Sequence, residues 1–255
     1  MLFKQLIKPI PLRYEGKKTL GTSAYIFNFT PQKLLKWQAG QQVLLELQLR
    51  DKHRTLQSFP IISAPSENVF KIATKINPET PDAFKQQLMK LKLGDTLNAR
   101  GVFGHTVIKN YAKDYAFLTA GIGIASFRPI LKQLIDSGRL DTKITLFFVG
   151  NKDSHYFKDE LNDYKMQLKN LEIEYIYKPN RITGQIIVAK LGDKLLKTTY
   201  FIGGSPTIVR NYRRILLGLG VSYRSIKSNH YLLIKHHQNE NPARLIAIKW
   251  FNQLI

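Results

Sequence analysis

Apolar residues recur at two different spacings along this chain, and the spacing changes near its middle. Over residues 23–30, 42–49, 57–63, 70–76 and 95–100, apolar and polar side chains alternate or nearly alternate, with Gly40, Asp51 and Pro65 punctuating the runs. Alternation sends successive side chains to opposite faces of a half-buried strand, so this half predicts an antiparallel β-barrel. One segment, 81–91, has helical spacing instead: Phe84, Leu88 and Leu91 share a face, and Pro81 suits a first turn. The Gly101-Val-Phe-Gly104 run closes the half.

From residue 115 strand-like and helix-like runs take turns. Strands are predicted at 115–120, 143–149, 172–177, 199–202 and 223–227, and helices near 124–137, 154–169 and 206–219. Such alternation predicts an α/β unit, a parallel sheet covered by helices on both faces. The chain therefore divides into a barrel over 1–110 and an α/β unit over 111–255, joined directly near 109–114. Ligands of a parallel sheet gather beyond the carboxyl ends of its strands. Three predicted ends carry suitable residues: Thr119 to Gly123, Val149 to Lys152, and Ile202 to Pro206. At the first of them, Gly121 and Gly123 form a strand–turn–helix junction whose free N–H groups would seat a phosphate. The structural alternative is a pair of turn and packing glycines, and Gly203 with Gly204 reads equally as a loop. A tail at 242–255 has the spacing of one more amphipathic helix, with Leu245, Ile248 and Phe251 on a face.

Composition narrows the chemistry. With no cysteine among 255 residues, disulfides, iron–sulfur clusters and thiol nucleophiles are excluded, so redox work would need a bound organic cofactor. No Gly-x-Ser-x-Gly elbow or Walker loop is present, and the six histidines lack metal-ligand spacing. No metal and no acid–base catalyst is assigned. Lys4 and Lys8 interrupt the start before a signal-like core forms, and no apolar run would span a bilayer, so the chain reads as cytoplasmic. The net charge of +21 is spread: residues 1–110 hold 17 basic against 7 acidic side chains, and 111–255 hold 22 against 11. Without a recognisable nucleic-acid module this charge points to an acidic protein partner, while peripheral contact with an anionic membrane stays open.

Taken in order, several short motifs resemble the ferredoxin–NADP+ reductase-like flavoprotein superfamily. They are Trp37-Gln-Ala-Gly-Gln-Gln-Val43, Gln57-Ser-Phe-Pro-Ile-Ile-Ser-Ala-Pro65, Asp82-Ala-Phe-Lys85, Gly101-Val-Phe-Gly104, the Thr119 to Phe127 turn, Gly150-Asn-Lys152, Arg181-Ile-Thr183 and Gly203-Gly-Ser-Pro206. The resemblance covers roughly residues 15–232. It implies an FAD-binding barrel followed by a Rossmann-like NAD(P)-binding domain. It assigns cofactor contacts to Gln57, Ser58, Phe59, Pro60, Thr74, Lys75, Asp82 and Phe84 in the barrel. In the second domain it assigns them to Thr119, Gly121, Ile122, Gly123, Ser126, Asn151, Lys152, Gly203, Gly204 and Ser205.

Departures accompany the matches. Gln57 stands where the family has an arginine on the flavin pyrophosphate, Pro60 where it has a hydroxyl near flavin N5, and Gly203 where many relatives have a cysteine. Asp82 replaces a Ser or Thr at a helix start, and reads either as a helix cap or as a charge that repels the ligand. Arg54 or Lys75 would have to supply the missing positive charge. Ala125-Ser126 replaces Thr-Pro, Lys152 leans toward NADP over NAD, and Asn229-His-Tyr231 is the nearest match to the family's C-terminal residues. The resemblance implies an FAD-dependent NAD(P)H oxidoreductase that passes electrons to a separate acceptor, for which the charge suggests an acidic ferredoxin or flavodoxin. The alternative is a reductase-like subunit with a weakened flavin site that binds or regulates.

Overall fold

The computed structural model describes residues 9–48, 53–77, 79, 82–229 and 233–237. The predicted tail helix at 242–255, together with Pro81, Asp51, His230 and Tyr231, lies outside them. Strands β1 (Ile10–Leu20), β2 (Ala24–Pro31), β3 (Gln42–Gln48), β4 (His53–Pro60), β5 (Phe70–Lys75) and β6 (Thr96–Phe103) join in the order β4-β3-β6-β1-β2-β5. Ile61 bridges Ile72 beyond the end of β4, and the Ile62 N–H donates to the Lys71 carbonyl at 2.9 Å, so the two edges of this sheet meet as a barrel. Its interior holds Leu12, Phe27, Val43, Leu45, Phe59 and Ile72, and α1 (Ala83–Met89) adds Phe84 and Leu88. Sequence periodicity missed β1, the longest strand, because its run of Arg13, Glu15, Lys17 and Lys18 masks the inward Leu12 and Tyr14.

The second unit is a five-stranded sheet of β7 (Tyr115–Ala120), β8 (Ile144–Gly150), β9 (Leu171–Tyr177), β10 (Thr199–Gly203) and β11 (Ile226–Ser228), ordered β11-β10-β7-β8-β9 and parallel throughout. The helices are α2 (Arg128–Asp136), α3 (Lys158–Gln167), α4 (Gly184–Leu191) and α5 (Pro206–Gly218). Alternate strand residues feed two cores, Phe117, Leu146 and Phe148 on one face and Leu118, Phe147 and Ile202 on the other. The chain leaves β7 toward β8 and returns on its other side as β10, so the strand order reverses between them. A crevice opens at such a reversal.

Several boundaries differ from the sequence expectation. The helix expected from 124 begins as a tight 3₁₀ turn, Gly121–Ser126, and becomes α-helical only at Arg128. The helix expected from 154 starts at Lys158, because Phe157 adopts a left-handed φ of 61° that no continuous helix passes through. Residues 223–227 split into a 3₁₀ turn and the short β11. Helix α4, unforeseen, is capped by Thr183, whose side chain accepts from the Ile186 N–H. The assignment of everything after 110 to the second unit also changes: β12 (Leu233–His237) crosses back and pairs antiparallel with β4, placing Leu233 opposite Gln57.

Candidate functional site

The carboxyl ends of β7, β8 and β10 face the end of β4 across a cleft of about 580 Å³, lined from both units. On the α/β side the governing contact is between two glycines. A Cβ on Gly123 would lie 2.5 Å from the Gly203 carbonyl oxygen, and one on Gly203 would lie 2.7 Å from the Gly123 carbonyl oxygen. The strand ends approach so closely that neither position admits a side chain. Thr119, fully buried, donates its hydroxyl to the Gly203 carbonyl at 3.0 Å and fixes the pair from behind. Gly121 turns the chain with φ 51°, leaving Ile122 and Ser126 on the cleft wall. Ser205 caps α5 by accepting from the Ile208 N–H, and Asn151 is held by its own N–H donating to Ser154 Oγ at 2.6 Å. Gly204 and Ser205 line the cleft, and Asn151 does so at its other end. Lys152 is exposed and outside the lining.

On the barrel side Gln57, Ser58, Phe59, Pro60, Thr74 and Lys75 all border the cleft. Phe59 is only 2% exposed, and its ring packs against Phe84 with centroids 5.5 Å apart, inside the barrel core. Pro60 brings an apolar surface and no N–H donor. Asp82 resolves in favour of the cap: its Oδ1 accepts from the Phe84 and Lys85 N–H groups at 3.0 and 3.2 Å. Its Oδ2 accepts from Gln57 Nε2 at 3.2 Å and lies 3.9 Å from Lys85 Nζ. The carboxylate thus occupies the start of α1 and ties it to β4. Burial pushes the Lys85 ammonium below the ordinary lysine range, an effect that Asp82 opposes, and Lys85 Nζ donates to the Lys75 carbonyl at 3.1 Å.

No protein-family profile matches the chain. It is 26% identical over 211 residues to a flavohemoprotein of Pseudomonas aeruginosa, covering 78% of this chain and 52% of that protein. The chain thus spans about half the length of the curated relative it matches. Among solved structures, the FAD/NAD-binding domain of nitric oxide dioxygenase from Vibrio cholerae superposes with a TM-score of 0.73 at 16% identity, over 86% of this chain and 97% of that one. Ferredoxin–NADP+ reductase from Plasmodium falciparum with 2′P-AMP gives 0.72 at 19% identity, over 88% and 96% of the two chains. The cytochrome b5 reductase domain of Ulva prolifera nitrate reductase gives 0.73 at 17%, over 87% and 97%. The fold is ferredoxin–NADP+ reductase-like.

Within this reductase-like fold, several residues that the sequence did not single out complete the cleft. Lys178, just past β9, and Tyr156 and Ser154 line its far end. His155 is buried behind them, with Nε2 at 3.1 Å from the Phe148 carbonyl and its ring edge-on to Tyr175 and Tyr177. Burial pushes its pKa below the usual histidine range, so it braces the 150–156 loop as a neutral ring. Asn229, already marked by the family resemblance, lines the near end: its Nδ2 donates to the Gly40 carbonyl at 2.8 Å and its Oδ1 accepts from the His105 N–H at 2.9 Å. It therefore clasps β11 to the barrel. Arg128 makes the second clasp. It donates to the Ile62 carbonyl at 3.0 Å and pairs with Glu67, both on the barrel side, while its Nε lies 3.1 Å from Glu160 on α3. Position 128 follows the glycine turn directly, but its partners stand 61 and 32 residues away, too far for any local signal.

Proposed function

We propose that the chain is an NAD(P)H-dependent flavin oxidoreductase that hands electrons to a separate acceptor. One observation carries the reading: a single cleft is lined jointly by the end of β4 and by three strand ends of a parallel sheet. A flavin bound against β4 would accept hydride from a reduced nicotinamide and release the electrons singly or in pairs. The chain's own part is alignment and exclusion of water. Gly123 and Gly203 keep the wall bare so that a flat ring approaches the backbone, and Thr119 holds that wall in place. The turn at Gly121 and the start of α5 at Ser205 present N–H groups toward a dinucleotide phosphate, with Lys178 adding charge at the adenosine end. Pro60 leaves the opposing ring without a hydrogen-bond donor at that point.

The acceptor in this reading is a small acidic electron-transfer protein of the ferredoxin or flavodoxin kind, attracted by the +21 charge. A second reading, a subunit that binds or regulates without efficient flavin reduction, draws support from the Asp82–Gln57 pair at the barrel flank. Reconstitution with flavin followed by anaerobic NADPH or NADH separates the two. Bleaching of the flavin colour is expected. Protein that takes up no flavin, or stays yellow under both nucleotides, rejects the oxidoreductase reading.

A further inference from the structure

Two dinucleotides meeting in one cleft need two seats for a diphosphate, and among the described residues the cationic and helix-start groups around this cleft furnish one. A diphosphate is held by helix N-terminal N–H groups and by cationic side chains, preferably the two-pronged guanidinium of arginine. On the α/β side such groups are open: the Gly121 turn, Ser205 and Lys178 all border the cleft. On the barrel side they are spent internally. The N–H groups of Phe84 and Lys85 and the amide of Gln57 all donate to the Asp82 carboxylate, at 3.0, 3.2 and 3.2 Å. Lys85 is turned to the same carboxylate and to the Lys75 carbonyl. Among the described cationic side chains that line the cleft from the barrel, that leaves Lys75, an exposed and hydrated point charge on a flexible stem. A phosphate brought to this flank would meet a carboxylate that already holds the donors it needs.

Resting on the oxidoreductase reading above, we infer that the cleft takes its flavin by the isoalloxazine and ribityl portions, without a phosphate anchor. FAD, FMN and riboflavin are then interchangeable and exchangeable ligands, while the nicotinamide nucleotide is the one bound through its phosphates. The Gln57–Asp82 pair sets this preference; neither residue touches the reacting atoms.

Titration of the full chain with riboflavin, FMN and FAD, followed by flavin fluorescence, tests it. Dissociation constants within about threefold of one another are expected, and flavin should be lost on gel filtration. Asp82→Ser, which keeps a capping hydroxyl, and Asp82→Ser combined with Gln57→Arg should tighten FMN and FAD by about tenfold while leaving riboflavin unchanged. Riboflavin binding in the same variants reports that the cleft has kept its shape. FAD binding more than about 30-fold tighter than riboflavin in the unmodified protein overturns the inference and leaves the oxidoreductase reading intact. An equal shift for all three flavins in the variants overturns it as well. Failure of every flavin to bind overturns the oxidoreductase reading itself, and this inference with it.

Discussion

Gly123 and Gly203 show how much of this site depends on atoms that are absent. Each glycine's missing Cβ is space filled by the other's carbonyl, at 2.5 and 2.7 Å, and the Phe127 ring lies 3.1 Å from the second position. A side chain at position 203 therefore does not fit here without moving the Gly121–Ser126 turn away from β10. Gly203→Ala should cost about 1–3 kcal/mol in unfolding free energy, as overpacking does. In the oxidoreductase reading it should also raise KM for the nicotinamide nucleotide. Thermal melts and steady-state kinetics check the two effects, and an alanine variant as stable and active as the parent would remove the close-approach argument. Asp82 makes the complementary point. The same carboxylate that looks like a defect beside a phosphate is, in the folded chain, a satisfied helix cap with three N–H donors.

At the scale of elements, the two units are held in register by short connections between helices and loops. Arg128 at the start of α2 joins Glu160 of α3 to Glu67 and the Ile62 carbonyl of the barrel, with its side chain only 11% exposed. Tyr164 adds its hydroxyl to Glu160. Burial raises the Glu160 pKa, but the hydrogen bonds and charge of Arg128 outweigh it and hold the group below the ordinary carboxylate range. A depressed carboxylate pKa contributes stability above its unfolded value that is lost as pH falls through the folded one. The clasp should therefore be fully present at neutral pH and weaken progressively below about pH 4.5. Arg128→Met, which leaves two carboxylates without their cation, should cost about 3 kcal/mol at pH 7 and lose less in acid. Urea midpoints of both proteins from neutral to acid pH test this; coincident curves would show that the clasp contributes nothing, and parallel ones that its contribution does not depend on Glu160 ionisation.

Over the whole molecule the charge is not only high but locally one-sided. Residues 194–239 contain eight lysines and arginines and no acidic residue. Arg213 on α5 lies over the Tyr223 ring at 5.4 Å and donates to Ser228 Oγ at 2.9 Å. After burial, Lys227 and Lys109 lower the pKa of His105, which places that edge of the second sheet close to the Asn229 clasp at the cleft. For the proposed acidic acceptor, this is the favoured approach. Turnover with such a protein should fall about tenfold on raising salt from ~50 to ~500 mM, while reduction of a neutral dye stays level. A triple reversal, Arg213→Glu, Arg224→Glu and Lys227→Glu, should reproduce that loss at low salt. Acceptor turnover insensitive to both would remove the acidic partner.

The sequence by itself determined the two periodicities, hence a barrel followed by a parallel sheet, and it determined the three glycine-bearing strand ends, because backbone alternation and turn chemistry are local properties. Thr119, Gly121, Gly123 and Gly203 were legible as strand-end positions for that reason, while the 57–60 stretch, legible as a strand, was marked as a site by the family resemblance alone. β1 was hidden by its charged outer face, α4 by its shortness, and β12 by its return across the molecule to an edge that no nearby residue announces. The tertiary structure alone decided that Asp82 closes on Gln57, that Phe59 turns into the barrel core, that Arg128 and Asn229 bind the units together, and that Gly123 and Gly203 exclude each other's side chains. Each of these depends on where a partner distant in sequence arrives, and a linear pattern carries no record of that distance.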